Sequence, residues 1–506
     1  MSSSEIRSVV ILGGGTAGWM TAAALSKVFG PRIRITLVES EDIGTIGVGE
    51  ATLPALRLFN AMLRVDEDAF VRATGATFKL GIQFDGWRHE GHSYLHAFGD
   101  VGKDLAYIPF HHYWLAEGLA GRPGDLWDYS LTARAAARNR FGRLPQTAQQ
   151  TPLNTLPYGF HFDAGLYARF LRRQAESQGV IRREGKVASV DQDAGTGDIL
   201  GLRLDGGERV EGDFFFDCSG FRALLIEGAL KAGFDDWTHW LPCDRAVALP
   251  SVRTEPLVPY TRSIARQAGW QWRIPLQHRT GNGHVYSSAH LSDEEAAQTL
   301  MHNLDGTALD TPRFLRFTAG RRKVAWKRNC IALGLAAGFV EPLESTSIHM
   351  VQSAIERIIM LFPHKGPAPR LIEQYNAVAA AEAERIRDFI VLHYHVNGRH
   401  GEAFWDDVRH MSVPDTLSHA IELFRDTGVI QPQARDLFQT SNWLQVMWGQ
   451  GIVPQAAHPF VQTVSPADRT GYLADLRTIV ADTAARLPLH ADFIARTCPA
   501  PANVAA

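Results

Sequence analysis

Ser8-Val-Val-Ile-Leu12, followed at once by Gly13-Gly-Gly-Thr-Ala-Gly18, decides the fold. The first five residues form a short β-branched run, and the glycines behind it keep the spacing Gly13-x-Gly15-x-x-Gly18. Residues 19–29 place Met20, Ala23, Ala24 and Val28 at helical intervals, and residues 32–39 alternate like a second strand that closes on Glu39. Strand, glycine turn, helix and strand in that order make a dinucleotide-binding unit. The first glycine forms the tight turn, the second lets the backbone approach a pyrophosphate, and the third packs helix against strand. The helix start at Thr16 and Ala17 then faces the phosphates with its free N–H groups. Glu39 stands where a carboxylate can accept hydrogen bonds from a ribose.

The rest of the chain bounds what such a unit can serve. At about 100–200 residues per domain, 506 residues imply two to four structural units. A net charge of −3 lacks the basic footprint of a nucleic-acid or anionic-membrane binder. With 21% charged and 45% hydrophobic residues, the chain is not disordered. Cys218, Cys243, Cys330 and Cys498 are scattered without metal-ligand spacing, so neither a metal site nor a disulfide framework is expected. The N-terminus has no basic region, and the longest apolar stretch, near residues 330–340, is too short to span a bilayer. The expected location is cytoplasmic.

Further strands are expected over 210–218 and 329–335, and a hairpin over 270–288 with Gly281-Asn-Gly283 as its turn. Helices are expected over 345–362, 371–394 and 468–487. The fold class is α/β: a Rossmann-type core, an interleaved β-rich substrate layer and a C-terminal helical cap. Residues 1–390 make the core, and a mainly helical part, 391–506, covers the substrate site. Spacing alone leaves nicotinamide and flavin open. A second strand-to-helix turn at 334–342 would suit the polar edge of an isoalloxazine ring, and equally an ordinary tight connection.

Two charged residues stand out locally. In Phe78-Lys-Leu-Gly-Ile-Gln-Phe84 the apolar side chains alternate, which puts Lys79 on the opposite face, where a lysine is ordinarily solvated. Glu344 precedes the helix expected from 345, where its charge favours the positive helix end.

Trp270-x-Trp272-x-Ile274-Pro275 is the most diagnostic string. With Gly13 to Gly18, Gly47-Val-Gly-Glu-Ala-Thr52 and Glu341-Pro-Leu-Glu-Ser-Thr346, it resembles the flavin-dependent tryptophan halogenase family, in that family's order, from residue 9 to beyond 390. The resemblance implies FAD, used as FADH2 from a separate flavin reductase, and chloride or bromide oxidised to a hypohalous acid that travels inside the protein to a small aromatic substrate. It implies cofactor contacts at Gly13, Gly15, Thr16, Ala17, Gly18, Glu39, Gly49, Glu50, Ala51, Val187, Leu335 and Ile348. Lys79 matches the lysine that delivers the halogen, and Glu344 the glutamate that deprotonates the arene. Thr346 and Ser347 match the halide site, although the family usually has glycine after the threonine. Trp270, Trp272, Ile274 and Pro275 match the barrier that keeps substrate from the flavin, and Ile82, His96, Phe98 and Trp443 the substrate side. Family members clamp the amino-acid tail of tryptophan with a tyrosine-rich, glutamate-containing segment. Residues 439–450 here contain neither tyrosine nor an acid, so free indole is expected in preference to tryptophan. The alternatives are a tryptophan halogenase proper and a flavin-dependent aromatic hydroxylase, for which Lys79 and the tryptophan string have no evident use. A non-enzymatic FAD-binding protein is a third. Oligomeric state is left open.

Overall fold

Ser8–Leu12 is buried along its whole length, as a central parallel strand covered on both faces must be. It lies between Arg34–Glu39 and Phe214–Asp217, both parallel to it, with Ile11 opposite Leu37 on one side and Phe216 on the other. Cys330–Ala332 and Ile181–Glu184 extend this sheet in parallel, and Trp326–Lys327 adds an antiparallel edge. The helix Thr16–Phe29 leaves the glycine turn and buries Trp19, Met20 and Leu25. The computed structural model describes residues 5–42, 49–122, 124–145, 149–366 and 368–502; Gly47 and Val48 of the quoted motif lie outside the described residues.

The second layer is a seven-stranded sheet in the order Arg313–Arg316, Arg245–Ala248, Thr280–Tyr286, Gly269–Pro275, Thr261–Arg266, Gly81–Asp85 and Ser93–Ala97. A three-stranded sheet, Gly49–Ala51, Gly159–Asp163 and Thr77–Lys79, joins it to the first helices. The C-terminal part is helical, and the helix Pro369–His395 runs across position 390. Phe404, Trp405, Phe424 and Leu444 share one apolar core with Ile82 and Trp270.

Three local readings change in the structure. The stretch 78–84 is two strands, broken at Leu80, whose N–H donates to the carbonyl of Pro259. Phe78 stacks on Phe141 in one core, while Phe84 stacks on Tyr94 in the other. The stretch 210–218 also divides: Arg209–Glu211 pairs with Ile199–Leu204, and only Phe214–Asp217 enters the parallel sheet. Asp213 makes the break, its carboxylate accepting from the Ser8 N–H at 2.8 Å and the Ser8 hydroxyl at 2.7 Å. The hairpin turns at residues 276–279, and Gly283 lies inside the strand opposite Trp272. A Cβ on Gly283 would stand 2.0 Å from the Trp272 ring, so that glycine serves close packing of a tryptophan rather than a turn.

The glycine turn is close-packed too. Gly13 has φ +117°, and a Cβ on Gly18 would stand 1.8 Å from the Gly13 carbonyl oxygen. Gly18→Ala is expected to cost about 1–3 kcal/mol by forcing helix and strand apart. A thermal melt with and without FAD reads both the lost stability and the lost retention of cofactor; an unchanged melt would mean the turn can shift freely.

Candidate active site

Lys79 is the last residue of its short strand and is fully buried, contrary to the solvated reading of a lysine on a polar face. The break at Leu80 turns the chain there, so Lys79 points into the protein. Its Nζ donates to Ser345 Oγ at 2.7 Å and lies 5.2 Å from the centre of the Phe98 ring. Burial pushes the Lys79 ammonium down to about 7, with the Glu344 carboxylate pulling in the other direction. At neutral pH the group is therefore divided between ammonium and free amine, the form that can attack an electrophilic halogen.

Ser345 itself has φ +60°, which folds the 342–346 segment back on itself between Glu344 and the helix Ser347–Leu361. Glu344 is fully buried. His96 Nδ1 lies 2.9 Å from both of its oxygens, and His393 Nε2 lies 2.8 Å from Oε1, a close contact rather than an aligned hydrogen bond. Asn442 Oδ1 accepts from the Gln439 N–H, so its amide nitrogen faces His96 Nε2 at 2.9 Å and leaves the proton of His96 on Nδ1, toward Glu344. His393 Nδ1 faces the Phe389 carbonyl at 2.8 Å, which fixes the ring with Nε2 toward Glu344. Burial raises the Glu344 carboxyl, but His96 and His393 outweigh it and hold the group at about 2. It stands ready as a carboxylate.

One residue further, among the described residues Thr346 Oγ1 is buried without a hydrogen-bond partner, and no side chain caps the first N–H groups of the helix Ser347–Leu361. An orphaned hydroxyl beside unfilled backbone donors fits a halide. The dinucleotide turn passes the corresponding test for FAD. Nothing lies within 4 Å of where a Cβ would stand on Gly15, so the start of Thr16–Phe29 opens on free space, and no acidic side chain occupies its first turn. Gly334 packs on Ala17, which brings the second turn, with Leu335 exposed, beside the first. Glu39 is held by Arg182 Nε at 2.5 Å and lies 3.4 Å from the Trp19 indole nitrogen.

The other expected site residues fall into groups. Val187 packs against the small core of Leu12 and Val38, and Ile348 lies in the core beneath the first helix. The strand carrying Gly49, Glu50 and Ala51 lies instead against the tryptophan strand, with Gly49 facing Ile274. Glu50 is half-buried, and burial, then Asp163, raises its carboxyl to about 7. Trp270, Trp272 and Ile274 are buried, and Thr77, two residues before Lys79, donates to the Pro275 carbonyl at 2.6 Å. Ile82 pairs with His96 in adjacent strands. Trp443 lies edge-on to Phe389, which stacks on Phe438 at 3.9 Å. Ser345 as the partner of Lys79, His393 as that of Glu344 and Asn442 as that of His96 were not legible, because in each pair the two residues lie far apart in the chain. Among the described residues, no cluster of His, Cys, Asp and Glu is placed to hold a metal, all four cysteines are free and buried, and no helix is long and apolar enough to cross a membrane.

Comparison with known proteins gives this geometry its family. The tryptophan halogenase family model matches residues 8–466. A flavin-dependent halogenase from Xanthomonas campestris is 50% identical, with 99% of this chain and 100% of that one covered and a TM-score of 0.96. A flavin-dependent halogenase from Brevundimonas sp. BAL3 is 46% identical, with 98% and 99% covered and a TM-score of 0.93. The 7-chloro-L-tryptophan 6-halogenase KtzR of Kutzneria sp. (strain 744) is 36% identical over 517 residues, covering 96% of this chain and 99% of its own. With the model matching most of its length and these relatives matching nearly all of it, the chain belongs to the tryptophan halogenase family and is an enzyme of the flavin-dependent halogenase class.

Proposed function

We propose that the enzyme halogenates an indole-type arene with a hypohalous acid handed on by Lys79, and that Glu344 removes the ring proton. The observation that carries this reading is the buried amine of Lys79 bonded to Ser345, the residue next to a carboxylate held ionised by two histidines. FADH2, supplied by a transiently encountered flavin reductase, would when bound donate the electrons that activate oxygen, and oxygen would be the oxidant that turns chloride or bromide into hypohalous acid. The chain's own contribution is placement. Gly13, Gly15 and Gly18, with the amides of Thr16 and Ala17, hold the pyrophosphate, and Thr346 Oγ1 with the Ser347 amide holds the halide. Trp270 and Trp272 separate that chemistry from the arene. A developing ring cation is stabilised and deprotonated by a carboxylate already desolvated and ionised.

The substrate within this class has two readings. The family and the Kutzneria relative, named for 7-chloro-L-tryptophan, favour tryptophan itself. The segment 439–450, with neither tyrosine nor an acid, favours an arene without the charged tail. Trp443 and Met447 border a groove of about 1140 Å³ along which two arginines are already paired, Arg385 with Asp436 at 2.5 Å and Arg387 with Asp388 at 2.8 Å. A zwitterion would have to compete with the carboxylates for those two arginines, and a charge left unpaired on burial is costly. Incubation with a flavin reductase, bromide and equimolar indole and tryptophan, read by bromine isotope doublets, tests the class and ranks the two. We expect indole to be taken about tenfold better, a difference of ~1.4 kcal/mol, with bromine at C3, where the pyrrole nitrogen concentrates electron density. Preferential benzo-ring bromination of tryptophan would assign a tryptophan halogenase proper. A phenol formed regardless of halide would mean a hydroxylase.

A further inference from the structure

Glu341 opens the segment that carries Glu344, yet it takes no part in the chemistry above. It is fully buried, and among the described residues no basic side chain pairs with it. Burial raises its carboxyl to about 7, with Tyr394 and Trp270 pulling it back. Both partners donate to the same atom: the Trp270 indole N–H reaches Oε2 at 3.1 Å, and the Tyr394 hydroxyl reaches it in a short bond. Oε1 is buried and has no hydrogen-bond partner among the described residues. A leucine would fill this space without desolvating a carboxyl, so packing alone does not account for a glutamate here.

The geometry does account for it. Trp270 belongs to the strand Gly269–Pro275 and Tyr394 to the last turn of the helix Pro369–His395, so a single oxygen ties two distant elements to the 341–346 segment. The residue before Tyr394 is His393, which meets Glu344. Two consecutive side chains of one helix therefore hold the two glutamates of one turn, and the first glutamate also fixes the free end of the Trp270 ring. We propose that Glu341 is a positioning residue, which locks the tryptophan wall to the turn bearing Glu344 and Ser345 so that hypohalous acid reaches Lys79 instead of escaping. The inference rests on the delivery path proposed above for Lys79 and Trp270.

Its test uses the full-length enzyme with three substitutions. Glu341→Leu keeps the size and removes both acceptor contacts. Glu341→Gln keeps an oxygen for both donors and places its amide where Oε1 has no partner. Trp270→Phe removes one donor. One readout is free of cofactor: the near-ultraviolet circular dichroism of the FAD-free protein, which reports immobilised indole rings. Glu341→Leu should lose the same tryptophan band as Trp270→Phe, with no further loss in the double variant, and Glu341→Gln should keep it. The second readout is product formed per FADH2 consumed, with escaping hypohalous acid trapped by monochlorodimedone. Glu341→Leu is expected to lower the product ratio roughly tenfold, since displacement of about 1 Å can cost far more in rate, while KM for the arene stays put and Glu341→Gln restores the ratio to within about twofold. Parent-like dichroism and product ratio in Glu341→Leu would overturn the proposal, as would failure of Glu341→Gln to restore them. Should Glu341→Leu not fold, Tyr394→Phe and Trp270→Phe remove the contacts one at a time and are read in the same way. Lys79→Ala separates the two readings: if it releases no trappable acid, the delivery path fails, while the dichroism and product ratio of the Glu341 variants still decide the proposal.

Discussion

Lys79→Ala is expected to lower halogenation by about 10²–10⁴-fold, the usual range for removing a group that handles the reacting atom, while FAD binding and oxygen consumption continue. The amine is sealed between Ser345 and the Phe98 ring, so water has no ready way to replace it as carrier of the halogen. Lys79→Met keeps most of the buried stem and should lose activity equally, which separates lost chemistry from a lost core. The pH dependence follows from the depressed value near 7. If the free amine takes up halogen, the transfer rate rises through pH 7; if the ammonium holds hypohalous acid by hydrogen bonding, it falls. Stability has its own sign. The unfolded lysine keeps its proton up to its ordinary 10.5 while the folded one releases it near 7, so between those values the unfolded state binds more protons and stability rises with pH. That rise should vanish in Lys79→Met, as thermal melts across pH 7–10 would show. Halogenation by Lys79→Ala near the parent rate would remove this residue from the mechanism.

Glu344→Gln should reduce kcat by about 10²–10³-fold with KM for the arene within about twofold, because the lost interaction exists mainly with the cationic transition state. The isosteric amide still accepts from His96, so the 342–346 segment should keep its shape. The measurement is steady-state kinetics beside a thermal melt. A change confined to KM would mean that Glu344 orients the arene or the following helix only, and a large fall in melting temperature would assign it chiefly to the buried charge cluster.

The glycine fingerprint was legible because its physics is local: turn, helix start and strand ends lie between residues 8 and 39. The helix Ser347–Leu361 was readable for the same reason, its apolar face repeating at helical intervals. The alternation in 78–84 misled because alternation reports only that successive residues face apart. Two short strands entering different sheets alternate as well as one long strand does, and the break at Leu80 depends on the Pro259 carbonyl, far away in the chain. Gly281-Asn-Gly283 misled similarly. Glycine marks either a turn or a close approach, and only the Trp272 ring lying across the strand decides which.

By itself, then, the sequence determined the α/β fold class and the family, and it singled out Lys79 and Glu344 as the charged candidates. What only the tertiary structure decided is the environment that sets their chemistry. Burial brings Lys79 to about 7, His96 and His393 keep Glu344 ionised near 2, and Tyr394 and Trp270 converge on Glu341. Chain neighbours cannot foretell these values, because desolvation and charge pairing act through space. The groups responsible come from residues 96, 270, 393 and 394, which only the completed fold brings against residues 341–345.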